Sequence, residues 1–124
     1  MPHPPACGNK MNPFTMFSLF IAGHALIDFP LQGDTTAVNK NRHAKTELQK
    51  HVPFIYWLAS HAIIHGAAVG LITGNVFLGI AEAVAHGVID YGKCEKWFSI
   101  HVDQFLHILC KVLWLFIVFS SFSS

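Results

Sequence analysis

Eight residues stand out by type and spacing: His24 and Asp28, His61 and His65, His86 and Asp90, Asp103 and His107. In each pair the members are four positions apart, which on a helix places both side chains on one face about a turn apart. Imidazole and carboxylate are the ligand set of zinc, iron, manganese and nickel, and a zinc site commonly uses three or four such groups. Eight candidates exceed the need of one ion. The chemistry expected is therefore a dinuclear centre of divalent metal, zinc first among the candidates, with two ions about 3.5–4 Å apart. Bridged-metal helix bundles build such sites from inward-facing carboxylates and histidines on all four helices. Gln32 and Gln104 fall near the same level and are the residues expected to orient substrate or ligands, the closest this set comes to catalytic side chains.

These pairs need helices to carry them, and four apolar stretches supply them: residues 13–31, 53–73, 75–91 and 97–122, with a polar segment 32–52 between the first two. Each approaches the roughly 20 apolar residues that cross a bilayer, with about 17 as a lower limit. The expectation is an all-α chain of one domain over residues 1–124, a four-helix transmembrane bundle with a polar cap between helices one and two. The first helix, preceded by a proline-rich stretch with one lysine, is expected to stay uncleaved. Burying imidazoles and carboxylates in hydrocarbon is costly, so ionisable residues on four spans point to a purpose.

Depth supports convergence. In antiparallel neighbours, residues equidistant from the connecting turn lie level, which sets His86 against His107, Asp90 against Asp103, and Glu82 against Lys111. By the same rule His24 meets His65 and Asp28 meets His61. Glu82 and Lys111 are expected deeper, as an ion pair out of reach of the metal level, or as part of a proton path. The echo of His24-Ala-Leu-Ile-Asp28 in His86-Gly-Val-Ile-Asp90 hints at two related hairpins, although helices two and four do not repeat with it.

Composition narrows the classes further. With 124 residues, 52% hydrophobic and only 12% charged, the chain lacks the polar surface of a soluble domain, for which about 25% charged is usual. A net charge of +1 leaves no basic footprint for nucleic acid. The three cysteines, Cys7, Cys94 and Cys110, are far apart and suggest neither a disulfide framework nor a thiolate zinc site. Lys40, Arg42, Lys45, Lys50, Lys93 and Lys96 fall on one side and Lys10 on the other, so the basic loops are expected in the cytoplasm and both termini outside. Lys40, Arg42 and Lys45 could attract an anionic headgroup, but the plainer reading is an ordinary cytoplasmic loop. His3, His43, His51 and His101 read as interfacial, as do Tyr56, Trp57, Tyr91 and Trp97 in aromatic belts.

The segments HALIDFPLQ (24–32), HAIIH (61–65), HGVIDYGK (86–93) and DQFLH (103–107) resemble those of domain-of-unknown-function family 3307, small integral membrane proteins of bacteria and phages. In style that family is similar to a larger group described as membrane-bound metal-dependent hydrolases. The resemblance implies a bacterial inner-membrane location and metal-facing roles for His24, Asp28, His65, His86, Asp90, Asp103 and His107, with Gln32 and Gln104 nearby. It implies no substrate, and the proline-rich start departs from it.

The function expected is a membrane-embedded two-metal hydrolase acting on a phosphate ester or a lipid-linked substrate at the cytoplasmic leaflet, with the lipid bilayer itself as partner. The alternatives are a metal or proton transporter, a module with a purely structural metal, and, ranked last, b-type haem bound between histidines such as His24 and His65 or His86 and His107. The lipid-facing surface leaves room for a homo-oligomer without indicating one.

Overall fold

A computed structural model describes residues 11–121, all helical where regular, with no strand among the described residues. Six helices follow in order: α1 (Pro13–Asp28), α2 (Gly33–Asn39), α3 (Glu47–His51), α4 (Phe54–Thr73), α5 (Val76–Cys94) and α6 (Ile100–Ser121). His3 and Cys7 lie outside the described residues.

Local chemistry sets the boundaries. The Asn12 side chain accepts from the Thr15 amide at 2.8 Å and Pro13 occupies the first turn, where a missing N–H costs nothing. The sequence places helix one through residue 31, but α1 stops at Asp28. Pro30 has no N–H to continue the ladder, so the Leu26 carbonyl is taken by the Leu31 amide at 3.0 Å, and the chain turns by 85° before α2 starts at Gly33, whose φ of +68° suits glycine. The expected cap at 32–52 is thus partly helical, with Thr46 capping α3 by accepting from the Gln49 amide at 3.1 Å. Gly74, at φ +68°, ends α4, and Asn75 starts α5 by accepting from the amides of Phe77 and Leu78 at 2.9 and 3.3 Å. The last long helix begins at Ile100, three residues later than expected, and α5 runs on to Cys94.

The four long helices pack in a closed ring, α1 on α4, α4 on α5, α5 on α6 and α6 back on α1. Helices α1 and α5 are therefore diagonal to each other. Contact is closest between α4 and α5, where a Cβ on Gly66 would lie 2.5 Å from the Gly79 carbonyl oxygen. Small residues let two backbones approach in this way. Met16, Phe20, Val69, Leu78 and Trp114 form an apolar core at one end of the ring.

Toward the other end the usual order is inverted. His61, His65, His86, His107, Glu82, Asp90, Asp103 and Lys111 are all buried, while Phe14, Leu71 and Phe116 are 70–84% exposed. A polar interior beneath an apolar exterior is the profile of a protein whose solvent is lipid. Two helices, Phe54–Thr73 and Ile100–Ser120, are long and apolar enough to cross a membrane, and the bent pair α1 and α2 passes the same test only when taken together.

Candidate metal centre

All eight paired residues meet in one buried cluster. Helices α1 and α5 bring their C-terminal halves to it and α4 and α6 their N-terminal halves, so the four-residue spacings fall at one level. The depth pairings hold: the His24 and His65 rings lie 5.2 Å apart, those of His86 and His107 stack at 4.1 Å, and His61 Nε2 reaches Asp28 Oδ1 at 3.1 Å.

Asp28 is the focus of one half. Its Oδ1 has the Nε2 atoms of His65, His61 and His86 at 2.9, 3.1 and 3.6 Å. A carboxylate oxygen offers about two lone-pair sites, so three imidazoles converge on an atom that can satisfy two. Such separations match a shared cation instead, because ligands about 2.1 Å from a tetrahedral ion lie about 3.4 Å from one another. Asp28, His61, His65 and His86 offer one ligand atom each, all within 4.8 Å of one another.

Asp90, Asp103 and His107 make the second half, within the same limit. His107 Nε2 lies 3.2 Å from Asp90 Oδ1 and 3.5 Å from Asp103 Oδ1. His86 belongs to both regions, its Nε2 lying 3.5 Å from Asp90 Oδ2, and it forms a third group of candidate ligands with His24 and His107. His61 also spans the halves, 3.6 Å from Asp90 Oδ2.

Several of these atoms have no partner. Both ring nitrogens of His86, Nδ1 of His24 and of His107, and Oδ1 of Asp103 are buried without a hydrogen bond. Buried polar atoms are nearly always satisfied, and these five are positions that a cation or water could take. Charge points the same way. Asp28, Asp90, Asp103 and Glu82 outnumber the buried lysines Lys40 and Lys111 by two, a deficit that either a bound cation or protonated imidazoles would fill.

The glutamines knit the cluster together by different routes. Gln104 donates from Nε2 to Asp28 Oδ2 and Asp103 Oδ2, both at 3.0 Å, and its Oε1 accepts from His24 Nε2 at 3.0 Å. That bond puts the His24 proton on Nε2 and leaves Nδ1 with a bare lone pair. Gln32 does not touch the imidazoles; its Nε2 donates to the Asp28 carbonyl at 3.2 Å and its Oε1 accepts from Lys40 at 2.6 Å.

Two residues stand closer to the centre than their sequence context suggests. Glu82 pairs with Lys111 at 2.5 Å, as the depth rule expects, and also accepts from Trp114 Nε1 at 2.6 Å. Its Oε1 is, however, only 3.5 Å from His86 Nδ1, so it is not remote from the ligand level. A glutamate four residues before a histidine on one helix is the signal for that contact. Lys40 is the other. Instead of lying in an open cytoplasmic loop, it is 5% exposed and donates to Asp90 Oδ2 at 2.7 Å. No spacing links it to a residue fifty positions away, so only the fold reveals it.

Arg42 stays at the surface, where it and His43 bind Glu95, the histidine at 3.0 Å. The guanidinium holds the Glu95 carboxyl down at about 2, with His43 contributing. His51 and His101 are exposed, and Tyr91 and Trp97 pack edge to face at 5.8 Å.

Fold and site together define a class: an all-helical protein with candidate membrane spans and a buried cluster of histidines and carboxylates that could hold metal. Residues 16–124 match the family model described as Protein of unknown function (DUF3307), and the chain belongs to that family. No curated protein and no solved structure matches it.

Proposed function

We propose that the chain is a four-helix transmembrane bundle of the bacterial inner membrane holding two divalent metal ions, zinc first among them, as a hydrolase of phosphate esters at the cytoplasmic leaflet. The observation that carries the metal reading is the convergence of His61, His65 and His86 Nε2 on one oxygen of Asp28, together with the orphaned atoms of His24, His86, Asp103 and His107. Asp28, His61, His65 and His86 would hold one ion and Asp90, Asp103 and His107 the other, with His24 beside both. Four groups complete a tetrahedral shell whereas three leave a position open, and an open position separates a catalytic from a structural metal.

Divalent ions there would supply Lewis-acid stabilisation and bring the pKa of a bound water toward 7. The protein's own part is orientation. Glu82 faces Nδ1 of His86 and is itself held by Lys111 and Trp114, the carboxylate–histidine arrangement that fixes a ligand's tautomer and direction. Gln104 holds Asp28 and Asp103 in fixed orientation across the two halves. The basic segment between α1 and α4 supports a cytoplasmic position for the site by the positive-inside rule. A transport reading has less support, because beyond Glu82 and Lys111 the ring is filled by Phe20, Val69 and Trp114. Haem is not favoured either, since the His86 and His107 rings stack at 4.1 Å and those of His24 and His65 lie 5.2 Å apart, leaving no slot for a macrocycle between the members of either pair.

The test is hydrolysis of p-nitrophenyl phosphate and of dihexanoyl phosphatidic acid by the metal-loaded chain in detergent. Activity is expected to vanish with chelator, return with metal, and fall at least about 100-fold in Asp90→Asn and Asp103→Asn. A fully metal-loaded chain inert toward both would contradict the hydrolase reading.

A further inference from the structure

Lys40 is a buried cation at the edge of the cluster. Helix α2 lies outside the ring of four long helices and carries Lys40 immediately after its last residue, Asn39. From there the side chain reaches Asp90 Oδ2 at 2.7 Å, the same oxygen that lies 3.5 Å from His86 Nε2 and 3.6 Å from His61 Nε2. Gln32 Oε1, at 2.6 Å, aims the ammonium from the other side. An ammonium has three donors, and Asp90 and Gln32 use two.

Neither Lys111 nor Arg42 is placed for this. Lys111 is held by Glu82 on the far side of His86, and Arg42 is engaged at the surface by Glu95. Charge then sets the ligand. The buried carboxylates exceed the buried lysines by two, so two divalent ions turn a deficit of two positive charges into an excess of two. Once an ion takes Asp90 Oδ2, Lys40 faces a cation at close range, and an anion between them relieves the repulsion. With two ions bound and the imidazoles neutral as ligands, the charge that balances the site is that of a dianion such as a phosphoryl group.

Resting on the two-metal reading above, we propose that Lys40 is the phosphoryl-binding residue of the site, donating its ammonium protons to a dianionic phosphate group bound at the two ions. The phosphate is either free or the terminal group of a lipid, and the chemistry Lys40 recognises is the same.

The experiment uses the full chain in detergent, loaded with Mn²⁺, with inorganic phosphate as probe and its 31P relaxation as readout. Lys40→Met is expected to keep its manganese and bind phosphate about 10- to 100-fold more weakly, the loss of one charge-assisted hydrogen bond. Lys40→Arg, which keeps the charge, is expected to stay within about threefold of the parent and shows that substitution there preserves the fold. Displacement of phosphate by dihexanoyl phosphatidic acid would assign a lipid headgroup, and indifference to it a free phosphate; both support the proposal. Unchanged phosphate affinity in Lys40→Met with manganese retained would overturn it while leaving the metal reading intact. Loss of manganese along with phosphate would also overturn it, making Lys40 a structural partner of Asp90. A parent chain that takes up no manganese would overturn both readings at once.

Discussion

At Asp28 and His86 the separations matter more than the residue types. Histidines buried in a helical ring could equally be satisfied by one another or by backbone, and the sequence alone weighs those outcomes evenly for any single pair. What supports the proposed metal is that His86, with no exposed surface, has neither nitrogen hydrogen-bonded, while three carboxylates lie 3.5–3.6 Å away. Type and spacing were legible in the sequence, as was the pairing of Glu82 with Lys111. The approach of Glu82 to His86 and the burial of Lys40 were not, because side-chain direction depends on packing. Glu82→Gln leaves the buried Lys111 ammonium uncompensated and is expected to destabilise the chain by about 3–5 kcal/mol, whereas the combined Glu82→Gln and Lys111→Met is expected to recover much of that. Thermal unfolding in detergent checks both. Equal stability of Glu82→Gln and the parent would mean that the pair contributes nothing.

At the scale of elements, the break after α1 and the docking of α2 are the features that the hydrophobic pattern missed. Apolar residues continue through Phe29 and Leu31, so hydropathy extends the helix; Pro30 and Gly33 stop it, and the turn carries Lys40 over the site. Arg42 and His43 tie that segment to Glu95 at the end of α5. The folded Glu95 carboxyl titrates at about 2 against an ordinary 4.5, so its contribution is complete above about pH 4.5 and disappears as the pH falls toward 2. Protection of residues 40–46 from hydrogen exchange is expected to fall over that acid range and to be low at neutral pH in Glu95→Gln; unchanged protection in the variant would remove Glu95 as the anchor. The contact between α4 and α5 makes a second demand. Gly66→Val would drive a side chain into the Gly79 carbonyl and Ala83, and an overpacking cost of about 1–3 kcal/mol is expected, read as a lowered unfolding temperature. A variant as stable as the parent would show that the helices can separate freely.

At the scale of the whole molecule, the two His-x-x-x-Asp elements stand on the diagonal helices α1 and α5, and the His-x-x-x-His and Asp-x-x-x-His elements on α4 and α6. That arrangement explains why the echo between the first and third long helices is visible in sequence while the other two show none: both diagonals supply ligands, with different residues. Antiparallel depth follows from the close connections α4–α5 and α5–α6 and from apolar length, which is why the level of the site could be read before its geometry. The polar interior carries the weight of the functional reading, since five histidines and three aspartates lie buried at one level in a chain with candidate membrane spans. The most direct check is the metal content of the purified full chain after dialysis, measured by elemental analysis beside His86→Ala and Asp28→Asn. About two divalent ions per chain are expected in the parent, with substantial loss in both variants; a folded parent chain free of metal would contradict the central claim.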